Sequence, residues 1–281
     1  MNRRGAVLAL HGAVLLFGFA GLFGKWLDLP PVIIVLGRTI VAAAALAALR
    51  ALRGEAVPRF DWRLLAAGAA LALHWVSFFA AIQVASVAIG LLGFASFPLF
   101  VLLLARVLLG QRWRRAEGAT AGLVLAGLLL LVPDFSWANR IVQGLAWGLL
   151  SGLTFALLAV LNRRFAADRP ATDIAFWQNA FAALALAPIA LVAGSMPDFG
   201  AREIGLLLVL GVVCTALAHS LFITALRTVT AHTASVVAAL EPVYGIALAL
   251  LLLGEVPGPR TLVGGVLIVG AAVLATRRAG R

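Results

Sequence analysis

Ten apolar stretches, each about as long as a lipid bilayer is thick, follow one another through nearly the whole chain. Most of the charge sits in the short seams between them. A helix needs ~17–25 apolar residues to cross the hydrocarbon layer, and ten such runs in 281 residues leave little chain for anything outside the membrane. The chain is 63% hydrophobic and 12% charged, whereas a soluble globule is typically ~45–50% apolar. The expected class is therefore an all-α polytopic membrane protein.

The runs cover residues 6–24, 31–49, 64–81, 84–104, 116–132, 141–161, 171–192, 204–222, 233–253 and 261–275. Pro30, Pro31, Pro170, Pro197 and Pro257 fall in the seams, where proline costs a helix little. The opening segment has the basic start and apolar core of a signal peptide but no small-x-small boundary, so it is expected to stay as an uncleaved first span. Cys214 is the one cysteine, lies in an apolar run and reads as a small core residue.

The formal charge of +11 is carried by residues that flank the spans, where they anchor helices, so nucleic acid is not an expected partner. With the N-terminus in the cytoplasm, 16 of the 22 basic residues fall inside: Arg3, Arg4, Arg50, Arg53, Arg59, Arg63, Arg112, Arg114, Arg115, Arg163, Arg164, Arg169, Arg227, Arg277, Arg278 and Arg281. Only Lys25, Arg140, Arg202 and Arg260 fall outside, and Arg38 and Arg106 lie within spans. That asymmetry is what the positive-inside rule requires. It places both termini in the cytoplasm, in a membrane of the bacterial inner-membrane type.

The two halves echo each other. Residues 144–164 follow the course of residues 5–25, with Pro170 standing where Pro31 stands. Farther on, Pro98 matches Pro242, and Leu109-Gly110-Gln111 matches Leu253-Gly254-Glu255. Five spans per unit means that the second unit enters the membrane from the opposite side. Inverted repeats of this kind underlie alternating access in many secondary transporters, with the solute site at their interface. Glycine recurs within the spans, notably Gly144, Gly148 and Gly152 at a spacing of four; close helix packing is its first expected role.

The doubled five-span unit, with Ala234-Ser235 leading into Leu240-Glu241-Pro242-Val243 and then Leu253-Gly254-Glu255 before a Gly-rich last span, resembles the EamA-type drug/metabolite transporter superfamily. The first half carries the degenerate counterpart: Ala85-Ser86-Val87, Phe97-Pro98 and Leu109-Gly110-Gln111. The resemblance covers residues 5–132 and 143–275, expected as two five-helix EamA-like repeats of inverted topology. It implies a ten-helix basket with a central cavity walled by the first, third, fourth, sixth, eighth and ninth spans. It also implies a secondary carrier, most like bacterial inner-membrane exporters of amino acids and other metabolites, aromatic amino acids included. The halves differ where chemistry matters: Phe97 stands opposite Glu241, and Gln111 opposite Glu255.

Ionisable groups inside a span are costly and are functional candidates by default. Glu241 and Arg38 could hold the two ends of a zwitterion, neutralise one another, or, for the glutamate, exchange a proton. His74, His11 and His219 lie in spans that the family fold would turn toward the cavity, and His232 lies at the start of the ninth; three remote histidines are not a metal site. His74 with Trp75, Ser77 and Phe78 is the most promising contact set. Phe97, Trp147, Phe155 and Tyr244 are candidates for an apolar pocket, with Ser151, Ser96, Thr154, Ser220 and Ser235 as hydrogen-bonding groups. Gln178 and Asn179 read as glue between helices. A small amphipathic molecule suits this mixture, and a phosphate ester, which wants several positive partners, does not.

No phosphate-binding loop, HExxH or paired-Cys motif occurs, so no cofactor is expected and no catalytic set is legible. The expected activity is secondary export of hydrophobic or aromatic amino acids, working as a monomer or weak homo-oligomer. The alternative is efflux of cationic drugs, with protons as coupling ion through Glu241.

Overall fold

The computed structural model describes residues 2–56, 58–109, 115–132, 134, 136–165, 169–192, 199–226, 228–229 and 237–279. Among these the chain is helical almost throughout. The helices are α1 Arg3–Trp26, α2 Pro31–Leu52, α3 Leu64–Val84, α4 Val87–Phe94, α5 Phe97–Leu109, α6 Arg115–Leu131, α7 Arg140–Phe165 and α8 Ala171–Val192. There follow α9 Ala201–Gly211, a π-helical segment Val212–Leu217, α10 Ala218–Leu226, α11 Glu241–Leu253 and α12 Pro259–Ala279. Gln111, His232 and the Ala234-Ser235 pair lie outside the described residues, as do Arg112, Arg114, Arg227, Arg281, Pro197 and Asp198.

Local chemistry sets several of the helix ends. The Asn2 side chain accepts a hydrogen bond from the Gly5 N–H at 2.8 Å and caps α1. Pro31 opens α2, where its missing N–H would have had no partner. Ser86 accepts from Ile89 N–H and caps α4, and Gly254, at φ +68°, closes α11 in the left-handed conformation that favours glycine.

Six described helices are long and apolar enough to span a membrane: Arg4–Trp26, Pro31–Leu52, Leu64–Val84, Arg140–Leu161, Thr172–Val192 and Ala201–Phe222. Four shorter apolar helices, Val87–Val101, Gly118–Leu131, Glu241–Leu253 and Pro259–Leu274, occupy the remaining apolar runs. The protein is thus an all-α, multi-pass membrane protein. Among the described residues, two of the ten apolar runs are interrupted. The fourth run breaks at Ala95-Ser96 and restarts at Phe97-Pro98; the ninth turns at Ala239-Leu240 and restarts at Glu241-Pro242. In both, proline lands in the first turn of the new helix, the one part of a helix that tolerates it. Glu241 therefore stands at a helix start inside the apolar run and not in mid-helix.

Packing pairs the halves. α1 packs on α11 and α10, α7 on α4, α5 and α3, and α6 on α12. The second apolar run of each half also lies against the third of the other, as α2 on α9 and α3 on α8. Glycine permits the closest crossings. A Cβ on Gly148 would lie 2.9 Å from the Gly93 Cα, and one on Gly18 would lie 2.8 Å from the Gly245 backbone nitrogen. The Gly144, Gly148 and Gly152 ridge of α7 faces the α3–α4 turn and α4 itself, as expected of small residues at membrane-helix contacts.

The two ends of the bundle are tied differently. At one end Lys25 donates to Ala85 O, Arg140 to Val84 O, Arg202 to Trp26 O and Gln83 to Leu29 O, while the Glu255 carboxylate accepts from Val87 N–H. At the other end Arg50 pairs with Asp173 and Glu55, Arg169 pairs with Asp61, and Trp177 Nε1 donates to Arg59 O.

Candidate functional site

The interior contains a continuous aromatic group built by α3, the α4–α5 break and α7. From α3 come Trp75 and Phe78, with the His74 imidazole ring centroid 5.3 Å from Phe94 and 5.1 Å from Phe155. Phe94 stacks on Phe97 at 5.4 Å across the break, and Phe155 meets both at 5.2 and 5.1 Å. Each such pair contributes ~0.5–1.5 kcal/mol beyond the area it buries. Phe97 follows Phe94 by three residues through the turn at Ala95-Ser96, and the two rings stay on one side.

His74 is fixed from α7. Its Nδ1 lies 3.0 Å from Ser151 O and 2.9 Å from Ser151 Oγ. A carbonyl only accepts, so the bond to Ser151 O belongs to the tautomer with its proton on Nδ1; in the other tautomer Nδ1 accepts from the Ser151 hydroxyl. Ser77 is fully buried, but its hydroxyl donates to Leu73 O and His74 O on its own helix. Ser96, Thr154 and Ser220 likewise donate to carbonyls of their own helices, so these hydroxyls have only lone pairs left to offer a solute. Trp147 is 39% exposed and stands apart from the ring group.

The second span contributes more than the expected cavity wall allows. Arg38 of α2 is 3% exposed, and its guanidinium carbon lies 3.8 Å from the Trp75 ring centroid. Nε and Nη2 both donate to Thr215 Oγ1, at 3.2 and 2.9 Å. Thr215 in turn donates to Leu210 O, five residues back, as the wide π turn allows. His219 Nδ1 donates to Thr215 O at 3.0 Å, and its ring sits against Phe17 and Trp75. Gly211, just before the π segment, admits α2: a Cβ there would meet Val41 and lie 3.1 Å from Arg38 O.

An arginine at the bilayer centre costs ~2.5–3.5 kcal/mol on insertion scales. A desolvated cation–π contact contributes ~2 kcal/mol and hydrogen bonds to a charged group ~1.5–3 kcal/mol. These offset the cost without a carboxylate.

Glu241 does not neutralise Arg38. The ion pairs among the described residues are Arg50–Glu55, Arg50–Asp173, Arg169–Asp61 and Arg202–Glu203, and Arg38 and Glu241 interact only at longer range. Glu241 is half-buried and its carboxylate has no hydrogen-bond partner among the described residues. Three residues on, Tyr244 shares a 2.6 Å hydrogen bond with His11 Nδ1, tying α11 to α1. Of the amide pair, Asn179 donates to Ala175 O, while its buried Oδ1 has no partner among the described residues.

Of the residues named from the sequence, the fold brings His74, Trp75, Phe78, Phe97 and Phe155 together. Sequence reasoning missed Phe94, Thr215 and Phe17. Phe94 lies three residues from Phe97, a spacing that signals a shared helix face; nothing local marks Thr215. No group of three or more His, Cys, Asp or Glu able to hold a metal occurs among the described residues. A cavity of about 530 Å³ lies elsewhere, among Arg50, Arg53, Asp173, Ser220 and Thr224, where Arg50 and Asp173 already satisfy one another.

The family model for the EamA-like transporter family matches this chain twice, over residues 4–132 and 142–277. The pseudopaline exporter CntI of Pseudomonas aeruginosa strain UCBPP-PA14 is 33% identical over 217 residues, spanning 76% of this chain and 74% of that protein. An uncharacterized transporter of Archaeoglobus fulgidus is 29% identical over 221 residues, spanning 79% and 78%. A solved crystal structure, 24% identical, superposes with a TM-score of 0.70 over 98% of this chain and 99% of that one, a likeness of fold.

Proposed function

Because this chain belongs to the EamA-like transporter family, whose members move small solutes across membranes, we propose that it is a secondary exporter of small amphipathic metabolites. Hydrophobic and aromatic amino acids are the favoured cargo. The observation that carries this reading is the pair of broken helices: α5 brings Phe97 to a dry aromatic group, and α11 brings Glu241, with no ion partner among the described residues. The aromatic arm is linked to the other through α4, which leads into α5 and packs on α11. An apolar side chain would lie on His74, Trp75, Phe78, Phe97 and Phe155, and an ammonium would lie toward Glu241 and Tyr244.

In this reading the six long and four shorter helices form two inverted five-helix repeats, residues 5–132 and 143–275, that rock about the shared site. Both termini face the cytoplasm, in keeping with the basic bias of the seams and with Arg50, Arg59 and Arg169 lying together at one end. Export as the direction follows the relative named a pseudopaline exporter. Glu241 is also the group through which protons would couple.

The test is counterflow of labelled amino acids in proteoliposomes, with and without a pH gradient. Exchange competed by hydrophobic amino acids supports the reading; indifference to every metabolite in the panel removes it. A second reading, efflux of organic cations, is favoured by the lack of an ion partner on Glu241, and the same assay with aromatic amines examines it.

A further inference from the structure

The Arg38 neighbourhood holds a positive charge with no matching negative one. Arg38 is 3% exposed and forms no ion pair among the described residues. Its fork is only partly used: Nε and Nη2 converge on the single oxygen of Thr215, and Nη1 has no hydrogen-bond partner among those residues. A planar guanidinium is suited to binding a carboxylate through two parallel hydrogen bonds.

The surroundings aim this charge. The Trp75 ring lies flat against the guanidinium carbon at 3.8 Å and the Phe79 ring follows at 5.6 Å, so the group cannot swing toward them. Thr215, which accepts from Nε and Nη2, is itself held by its bond to Leu210 O. That bond exists because Val212–Leu217 is π-helical, a rare distortion that tends to mark functional places in helices. Trp75 then joins the charge to the aromatic group, since its ring contacts those of His74 and His219.

We propose that Arg38, stacked on Trp75 and anchored by Thr215 of the π-helical segment, is the seat for a carboxylate of the transported solute. A lone guanidinium fits a monoanionic carboxylate and not a phosphate, which would need further cations. This rests on the exporter reading and narrows it: the cargo carries an acid as well as an apolar body. It also divides that reading from the cation-efflux alternative, whose cargo Arg38 would repel.

The test compares three probes of one shape on the purified full chain: L-phenylalanine, L-phenylalaninamide, which lacks the acid, and 3-phenylpropionate, which lacks the amine. Ligand-induced thermal stabilisation gives the apparent affinity of each. The expected result is that both acids bind and the amide binds about tenfold to a hundredfold more weakly, the range for losing a hydrogen bond to a charged group. Arg38→Gln should erase the preference for acids. Thr215→Val, which keeps the charge but loosens its aim, should reduce the preference without abolishing it.

Amide and acids binding equally to the wild type would overturn the seat, and that comparison needs no variant to fold. So would an Arg38→Gln protein that is less stable yet still prefers acids, which is the mark of a purely structural arginine. Binding of none of the three, with amine counterflow intact, overturns the seat and leaves a transporter; absence of counterflow for every panel member overturns the exporter reading itself.

Discussion

The two broken helices use one backbone device for opposite chemistry. Each follows a turn of two small or apolar residues, Ala95-Ser96 or Ala239-Leu240, and each restarts with proline in its first turn. The residue before that proline is Phe97 in one and Glu241 in the other. Phe97 is stacked on Phe94 and edge-on to Phe155; the Glu241 carboxylate stands with no ion partner among the described residues. Duplication thus supplied two similar frames, and divergence at one position made one arm dry and the other ionisable. Under the proposed function, an amphipathic solute is what such an asymmetric pair would suit.

The comparison can be broken most severely by forcing the arms off their supports. Gly148→Val would drive a side chain into Gly93 of α4, and Gly18→Val would drive one into the backbone of α11 beside Glu241. Overpacking costs ~1–3 kcal/mol where neighbours can shift, and backbone atoms at these distances cannot. Both variants should lose most of their folded, monodisperse protein in detergent chromatography; normal yields would mean that the arms are not clamped at these crossings.

A smaller effect sharpens the aromatic side. Phe97→Leu and Phe155→Leu keep the core apolar while removing ring contacts, and should change preference among hydrophobic amino acids by ~10–200-fold in competition assays. An unchanged competition order would make these rings packing residues only. The smallest effect belongs to Trp147, which is 39% exposed and outside the ring group. Trp147→Leu should leave both affinity and order within about twofold, the scale of a surface change; a large shift would extend the solute's contacts along α7 to Trp147.

Much of this was legible before any coordinates, for identifiable reasons. The spans followed from hydropathy, and the correspondence of Pro98 with Pro242 already marked two equivalent places. The breaks themselves were not legible, because Ala95-Ser96 and Ala239-Leu240 sit inside long apolar runs, where the single hydroxyl of Ser96 is too weak a signal to mark a turn. Proline gave a usable signal, since it fits the first turn of a helix better than the middle. For the candidate site, the α3 and α7 aromatics could be named from their spans alone. The Arg38–Thr215 contact joins residues 177 positions apart through a π-helical turn, and neither the separation nor the turn leaves a local trace. The sequence offered Arg38 only as one end of a zwitterion site or a partner of Glu241, whereas the packing of α2 against the π segment brings it to Trp75.

The central claim, that a solute is held between the aromatic arm and Glu241, is tested most directly by counterflow and pH-gradient-driven transport of labelled L-phenylalanine in proteoliposomes, wild type against Glu241→Gln. The amide is isosteric and cannot ionise. With equal amounts of folded protein reconstituted, the account predicts that the variant loses concentrative transport and that its rate no longer varies with pH. A Glu241→Gln carrier with the wild-type rate, accumulation and pH profile would contradict it.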